Sequence, residues 1–232
     1  EIQKLITKRT KAIMFSNPCN PTGVVYTEDE MNMIKEIAIK NDLYIISDEV
    51  YKQFIYSNQK FKSFLNVEGV EDRVIMIDSI SKHYSACGAR IGVVGSKNKE
   101  IISQILKLCQ ARLSVSTIEQ YASASLLRGI DLYINDVVNE YKIRRDTMYK
   151  KLNEIDGITT YKPDSAFYII AKLPVDDIEK FTLWLLTTFR HNNSTLMFAP
   201  GPGFYSNEHY NNGIQEARFS FCTYNSKQIE YG

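Results

Sequence analysis

Cysteine, proline and glycine are scarce in this 232-residue chain, at four, six and eleven residues. The four cysteines, Cys19, Cys87, Cys109 and Cys222, lie far apart with no C-x-x-C pair. That argues against a zinc site and predicts reduced thiols in a cytoplasmic protein. With so little glycine and no repeat, collagen-like, disulfide-scaffold, coiled-coil and low-complexity chains are excluded. An excess of charge of either sign is also missing, since 28 Lys and Arg against 27 Asp and Glu leave a formal +1. Such balance removes the electrostatic case for nucleic acid or an anionic membrane surface as a partner. No apolar run approaches the roughly 18 residues of a membrane-spanning helix. No basic-then-apolar leader opens the chain either, so neither membrane insertion nor secretion is expected. What remains, 44% hydrophobic and 24% charged residues, suffices for one large domain or two smaller ones.

Short apolar runs over 12–16, 43–46, 74–77 and 91–94 stop at polar clusters or glycine and predict buried strands. Thr27 and Glu30 have capping-box spacing, and Met31, Ile34, Ile37 and Ala38 follow on one helical stripe. All-apolar strands alternating with amphipathic helices predict an α/β architecture, a mostly parallel sheet covered on both faces. Past Lys99 the pattern changes to helices over 101–113, 117–127 and 132–155. Strands over 166–170, 196–198 and 217–222 then surround a helix over 177–189, with Trp184, Leu185, Leu186 and Phe189 as its core stripe. This predicts a smaller α+β domain over 136–232 after a larger one over 1–135. Both ends read as cut points: the chain opens at Glu1, and Ser226 reads as the N-cap of a helix that stops short. A fragment of a longer protein is expected.

In parallel sheets chemistry gathers outside the carboxyl ends of the strands. Here those ends carry residues 17–23 (NPCNPTG), 47–51 (SDEVY) and 79–82 (SISK). Singly, each has an ordinary reading: a turn, a helix N-terminus, a solvated lysine. His83 reads as a packed histidine, and His191 and His209 as surface residues. Together the clusters mean more. Lys82 follows Ser79 and Ser81, and Arg90 stands between Gly88 and Gly92, where small residues let the backbone approach a bound group. Hydroxyls and a guanidinium can hold a phosphate dianion. A lysine beside such a site, with an acid and a tyrosine from a neighbouring strand end, suits pyridoxal 5'-phosphate.

On these residues, together with 79–92 (SISKHYSACGARIG) and 217–222 (ARFSFC), the chain resembles the class I, fold type I pyridoxal-phosphate-dependent aminotransferases. The stretch around Lys82 is most similar to prokaryotic-type aspartate aminotransferases. The resemblance runs from about Thr10 to the end and implies a role for each matching position. Lys82 would be the Schiff-base lysine and the acid and base of the proton shift. Asp48 would pair with the pyridinium nitrogen. Tyr51 and Asn20 would hydrogen-bond the ring's phenolic oxygen. Ser79 and Arg90, with Ser81 nearby, would hold the phosphate, and Arg218 would clamp the substrate carboxylate. It further implies amino-acid and 2-oxo-acid substrates and a homodimer. The family's N-terminal part has no counterpart here, so the chain alone is expected to be inactive, with apolar surface exposed. Ser165 stands where many relatives carry a glycine before Ala-Phe-Tyr. Elimination by a C–S lyase on the same scaffold, or a non-catalytic fragment, are the alternative readings.

Overall fold

The computed structural model describes residues 1–128, 130–223 and 225–231; Gly232, the last residue of the predicted second domain, lies outside them. They divide into two compact units, Glu1–Cys19 with Val24–Asp136 and Asn20–Gly23 with Val137–Gly232.

In the first unit a short helix α1 (Ile2–Leu5) precedes β1 (Ala12–Ser16), α2 (Glu28–Lys40), β2 (Tyr44–Asp48) and β3 (Val74–Ser79). A single helical turn, α3 (Ile80–His83), leads to β4 (Gly92–Gly95), α4 (Lys99–Arg112) and α5 (Thr117–Leu126). The sheet runs β1-β2-β3-β4, parallel except for β4, so the mostly parallel sheet stands. Its helix α2 starts where the capping box predicts. Thr27 Oγ1 accepts from Glu30 N–H at 3.3 Å, and Glu30 Oε2 accepts from Thr27 N–H at 2.8 Å. Met31, Ile34 and Ala38 are buried with Leu43, Ile45, Phe64, Val67, Val70 and Val74 in one core. Each fully buried large side chain there contributes about 1.5–3 kcal/mol. Phe64 is fully buried, so Phe64→Ala should cost about 3–5 kcal/mol.

The expectation of a sheet covered on both faces is corrected. Ile13, Phe15 and Ile45 face the core, whereas the register row Met14–Ile46–Ile75 lies on the other face. There Met14 is 69% exposed and Ile46 and Ile75 are only half-buried. Apolar residues on both sides of a strand state that both faces need cover. They do not state that the same stretch of chain supplies it.

The division between units falls within α6 (Ile130–Asn153). In the second unit follow β5 (Thr159–Thr160), β6 (Tyr168–Lys172), α7 (Ile178–Thr187), β7 (Ala199–Pro200), β8 (Glu216–Ser220) and α8 (Ser226–Tyr231). Its sheet, β5-β6-β8-β7, is antiparallel throughout. Ile169, Ala171, Ala217, Phe219, Ile178 and Leu185 are buried, and Asp177 Oδ1 caps α7 by accepting from Glu179 and Lys180 N–H. Three expectations fail here. Residues 196–198 form no strand; the ladder begins at Ala199, opposite Arg218, where Pro200 is tolerated because β7 is an edge. Of the α7 stripe only Leu185 is buried, while Trp184 is 44% and Leu186 41% exposed. The cap of α8 is Asn225, whose Oδ1 accepts from Gln228 N–H while Gln228 Oε1 accepts from Asn225 N–H; Ser226 is already helical.

Candidate active site

β2 ends at Asp48, beside Ile77 of β3 and Ser16 of β1. Neighbouring strands lie about 4.8 Å apart, so Asp48 and the run from Ser79 to Lys82 issue from adjacent strand ends. Asp48 Oδ1 accepts from Val50 N–H at 3.1 Å, closing a tight turn. Burial pushes its carboxyl above the usual range; the Val50 hydrogen bond opposes this, and the charge of Asp78 adds to the rise. Tyr51, three residues on, is buried. Glu49, between them, is buried too, and its Oε1 accepts from Ser47 Oγ (3.2 Å), Ser63 Oγ (2.9 Å) and Phe64 N–H (3.0 Å). That carboxylate is a structural post.

At the end of β3, Ser79 caps the turn α3 that carries Lys82. Ser79 Oγ donates to the Ile91 carbonyl at 2.8 Å and accepts from Ser81 N–H at 3.1 Å, with Ser81 Oγ 2.8 Å away. Arg90 adopts the left-handed conformation, φ 57° and ψ 39°, and donates from Nη1 to the Cys87 carbonyl at 3.0 Å. A non-glycine residue held there costs about 1 kcal/mol. A Cβ on Gly88 would meet no protein atom within 4 Å. On Gly92 it would meet the Asp78 carbonyl at an ordinary 3.5 Å.

The other two expected residues meet in the second unit. Arg218 on β8 donates from Nη1 to Asn20 Oδ1 at 2.9 Å, across 198 residues of sequence. Its guanidinium lies 4.2 Å from the Tyr168 ring centroid and 4.9 Å from that of Phe204. Its Nε is buried and has no hydrogen-bond partner among the described residues. Asn20 is presented by a turn pinned to this unit. Asp164 N–H and Ser165 Oγ donate to the Gly23 carbonyl at 3.1 and 2.8 Å, and Tyr161 Oη donates to the Thr22 carbonyl. Gly23 has φ +71°, and a Cβ there would sit 2.5 Å from Pro163 Cβ, so glycine is required. Sequence reasoning missed Lys52, Asp78, Tyr168 and Phe204. Asp78 alone carried a signal, as an acid at a strand end directly before Ser79.

Comparison with known proteins bears on this arrangement. The family model described as Aminotransferase class I and II matches residues 1–191. A probable aspartate aminotransferase of Methanocaldococcus jannaschii is 32% identical over 96% of this chain and 57% of its own length. The aspartate aminotransferase of Bacillus subtilis is 30% identical over 90% of this chain and 54% of its own. The crystal structure of an aromatic aminotransferase from Pyrococcus horikoshii is 30% identical with a TM-score of 0.84, covering 99% of this chain and 59% of that one. The chain thus spans about half the length of the curated relatives it matches. The mostly parallel sheet with a smaller antiparallel layer is the fold type I arrangement, and by sequence and fold alike the chain belongs to the aminotransferase class I and II family.

Proposed function

We propose that this chain is the lysine-bearing and carboxylate-binding part of an aminotransferase that moves an amino group from an L-amino acid to a 2-oxo acid with pyridoxal 5'-phosphate. The observation that carries the reading is Arg218. A guanidinium 4.2 and 4.9 Å from two aromatic ring centroids, one amide accepting from Nη1 and a buried Nε left to donate, suits a planar carboxylate. The donor set at the strand ends of the first unit fits the cofactor: an amine, a half-buried carboxylate, a phenol, two hydroxyls and a guanidinium. Lys82 would attach it through Nζ, Asp48 would accept a hydrogen bond from its ring nitrogen, and Tyr51 would donate to its phenolic oxygen. Ser79, Ser81 and Arg90 would bind its phosphate. The bound cofactor would supply the electron sink. Lys82 Nζ would then hold and move the substrate proton. Asp48, raised by burial, would be kept ionised by a cation beside it. Asn20, through Oδ1, would orient Arg218.

Aspartate is the substrate we favour, because the relatives named above from Methanocaldococcus jannaschii and Bacillus subtilis carry that name. A homodimer acting in the cytoplasm belongs to the same reading. Exposed Leu106, Leu108, Leu113, Ile118 and Tyr121 on and between α4 and α5 support association, and the four free thiols suit a reducing compartment. Among the described residues no helix is long and apolar enough to cross a membrane.

The test uses the protein expressed from its complete reading frame. Borohydride reduction and peptide mapping should find the pyridoxyl group on Lys82, and aspartate should be consumed beyond one equivalent per site only with a 2-oxo acid present. With a β-thioether amino acid in place of aspartate, release of thiol, ammonia and pyruvate without a 2-oxo acid would favour elimination instead.

A further inference from the structure

Three side chains without a role so far meet beside the strand ends of the first unit. Lys52 Nζ lies 2.5 Å from Asp78 Oδ2, although 26 residues separate them. Asp78 Oδ1 accepts from Ser79 N–H at 2.7 Å and stands 3.5 Å from His83 Nε2. The His83 side chain is only 7% exposed, and Nε2 makes no hydrogen bond among the described residues. Burial holds its imidazole below the ordinary value and the Lys52 charge pushes the same way, against Asp78 and a hydrogen bond to the Val50 backbone. The ring is therefore neutral near pH 7, and Lys52 is left as the counter-charge of Asp78. That counter-charge matters because Asp78 repels a charge on Asp48.

We propose that Lys52 is a positioning residue for the lysine site. By neutralising Asp78 it spares Asp48, at the neighbouring strand end, the repulsion of a second carboxylate. The inference rests on the proposed function, and Lys52 acts through Asp78 rather than on substrate.

The experiment titrates the protein expressed from its complete reading frame with pyridoxal 5'-phosphate, followed by visible absorbance at one near-neutral pH. Lys52→Met strands Asp78 and should lower affinity about tenfold, the equivalent of one pKa unit on Asp48. Lys52→Met/Asp78→Asn removes both charges and should return to within about threefold of wild type, because the two sites are directly coupled. A purely mechanical brace would not be restored by losing its second half. Asp78→Asn alone strands no carboxylate and should hold or raise affinity. The proposal is overturned by unchanged affinity in Lys52→Met, by a double variant as weak as the single one, or by a tenfold loss in Asp78→Asn. Borohydride mapping of the same preparations separates the two levels. Label on Lys82 throughout with no rescue overturns only the role of Lys52, whereas label on another lysine in the wild type overturns the proposed function with it.

Discussion

The region of α6 around Arg145 and the region of β8 around Arg218 belong to the same unit and satisfy their guanidinium groups to opposite degrees. Arg145 is buried, donates from Nη1 to the Pro163 carbonyl at 3.0 Å and pairs with Asp146 at 2.7 Å. Arg218 gives one hydrogen bond to an amide and keeps a buried Nε with no partner among the described residues. The first unit repeats the contrast in two consecutive residues. Glu49 Oε1 collects three donors, and Asp48 Oδ1 one. A saturated buried group holds a fold together; one with capacity left, at a strand end or over aromatic rings, can hold a ligand.

The contrast can be broken in order of expected effect. Asp48→Asn keeps the shape and removes the charge, so the half-reaction of the complete protein should slow about 10²–10³-fold while cofactor still binds. A near-wild-type single-turnover rate would remove Asp48 from the mechanism. Arg218→Lys keeps the charge without the planar fork and should raise the KM for the amino acid about ten- to a hundredfold, with cofactor affinity unchanged. Arg145→Met should do the reverse: about 1–3 kcal/mol of stability lost as Pro163 O is left unpaired, read by denaturant unfolding, and KM unmoved.

A smaller effect concerns Glu49. Burial holds its folded-state carboxyl above the ordinary value despite hydrogen bonds from Ser63, Phe64 and Ser47 and the charge of Lys52. A raised carboxyl pKa favours folding while the group is protonated, and that contribution is lost as pH rises through the folded-state value. Glu49→Gln keeps the Oε1 acceptor without the charge. Its denaturation midpoint should therefore decline less than wild type as pH rises above the ordinary carboxylate range; parallel profiles would contradict this. Smallest is Ser165→Gly, which removes the hydrogen bond to the Gly23 carbonyl but leaves that of Asp164. A loss of about 0.5–1.5 kcal/mol in unfolding free energy is expected.

Comparing residues that were legible in the sequence with those that were not separates local causes from distant ones. The capping box at Thr27, the stripe Met31–Ile34–Ala38 and the strand ends at Asp48 and Ser79 were readable, because each depends on residues within a few positions. The strand expected over 196–198 was misread because three apolar residues cannot say which of their neighbours will pair. Opposite Arg218 the ladder takes Ala199 instead. The exposure of Trp184 was equally invisible, since a stripe predicts a face and not what covers it.

By itself the sequence determined the order and type of the main elements of the first unit, and the chemistry gathered at the ends of β2 and β3. Hydrophobic period and turn chemistry act locally and leave their signature in spacing. Only the tertiary structure decided which polar groups are saturated. It brought Lys52 to Asp78 across 26 residues and Asn20 to Arg218 across 198. It also set the Arg218 guanidinium beside the Tyr168 and Phe204 rings and left one face of the first sheet open at Met14. Hydrogen bonds and ion pairs form wherever packing brings groups within about 3 Å, and no local pattern records that meeting.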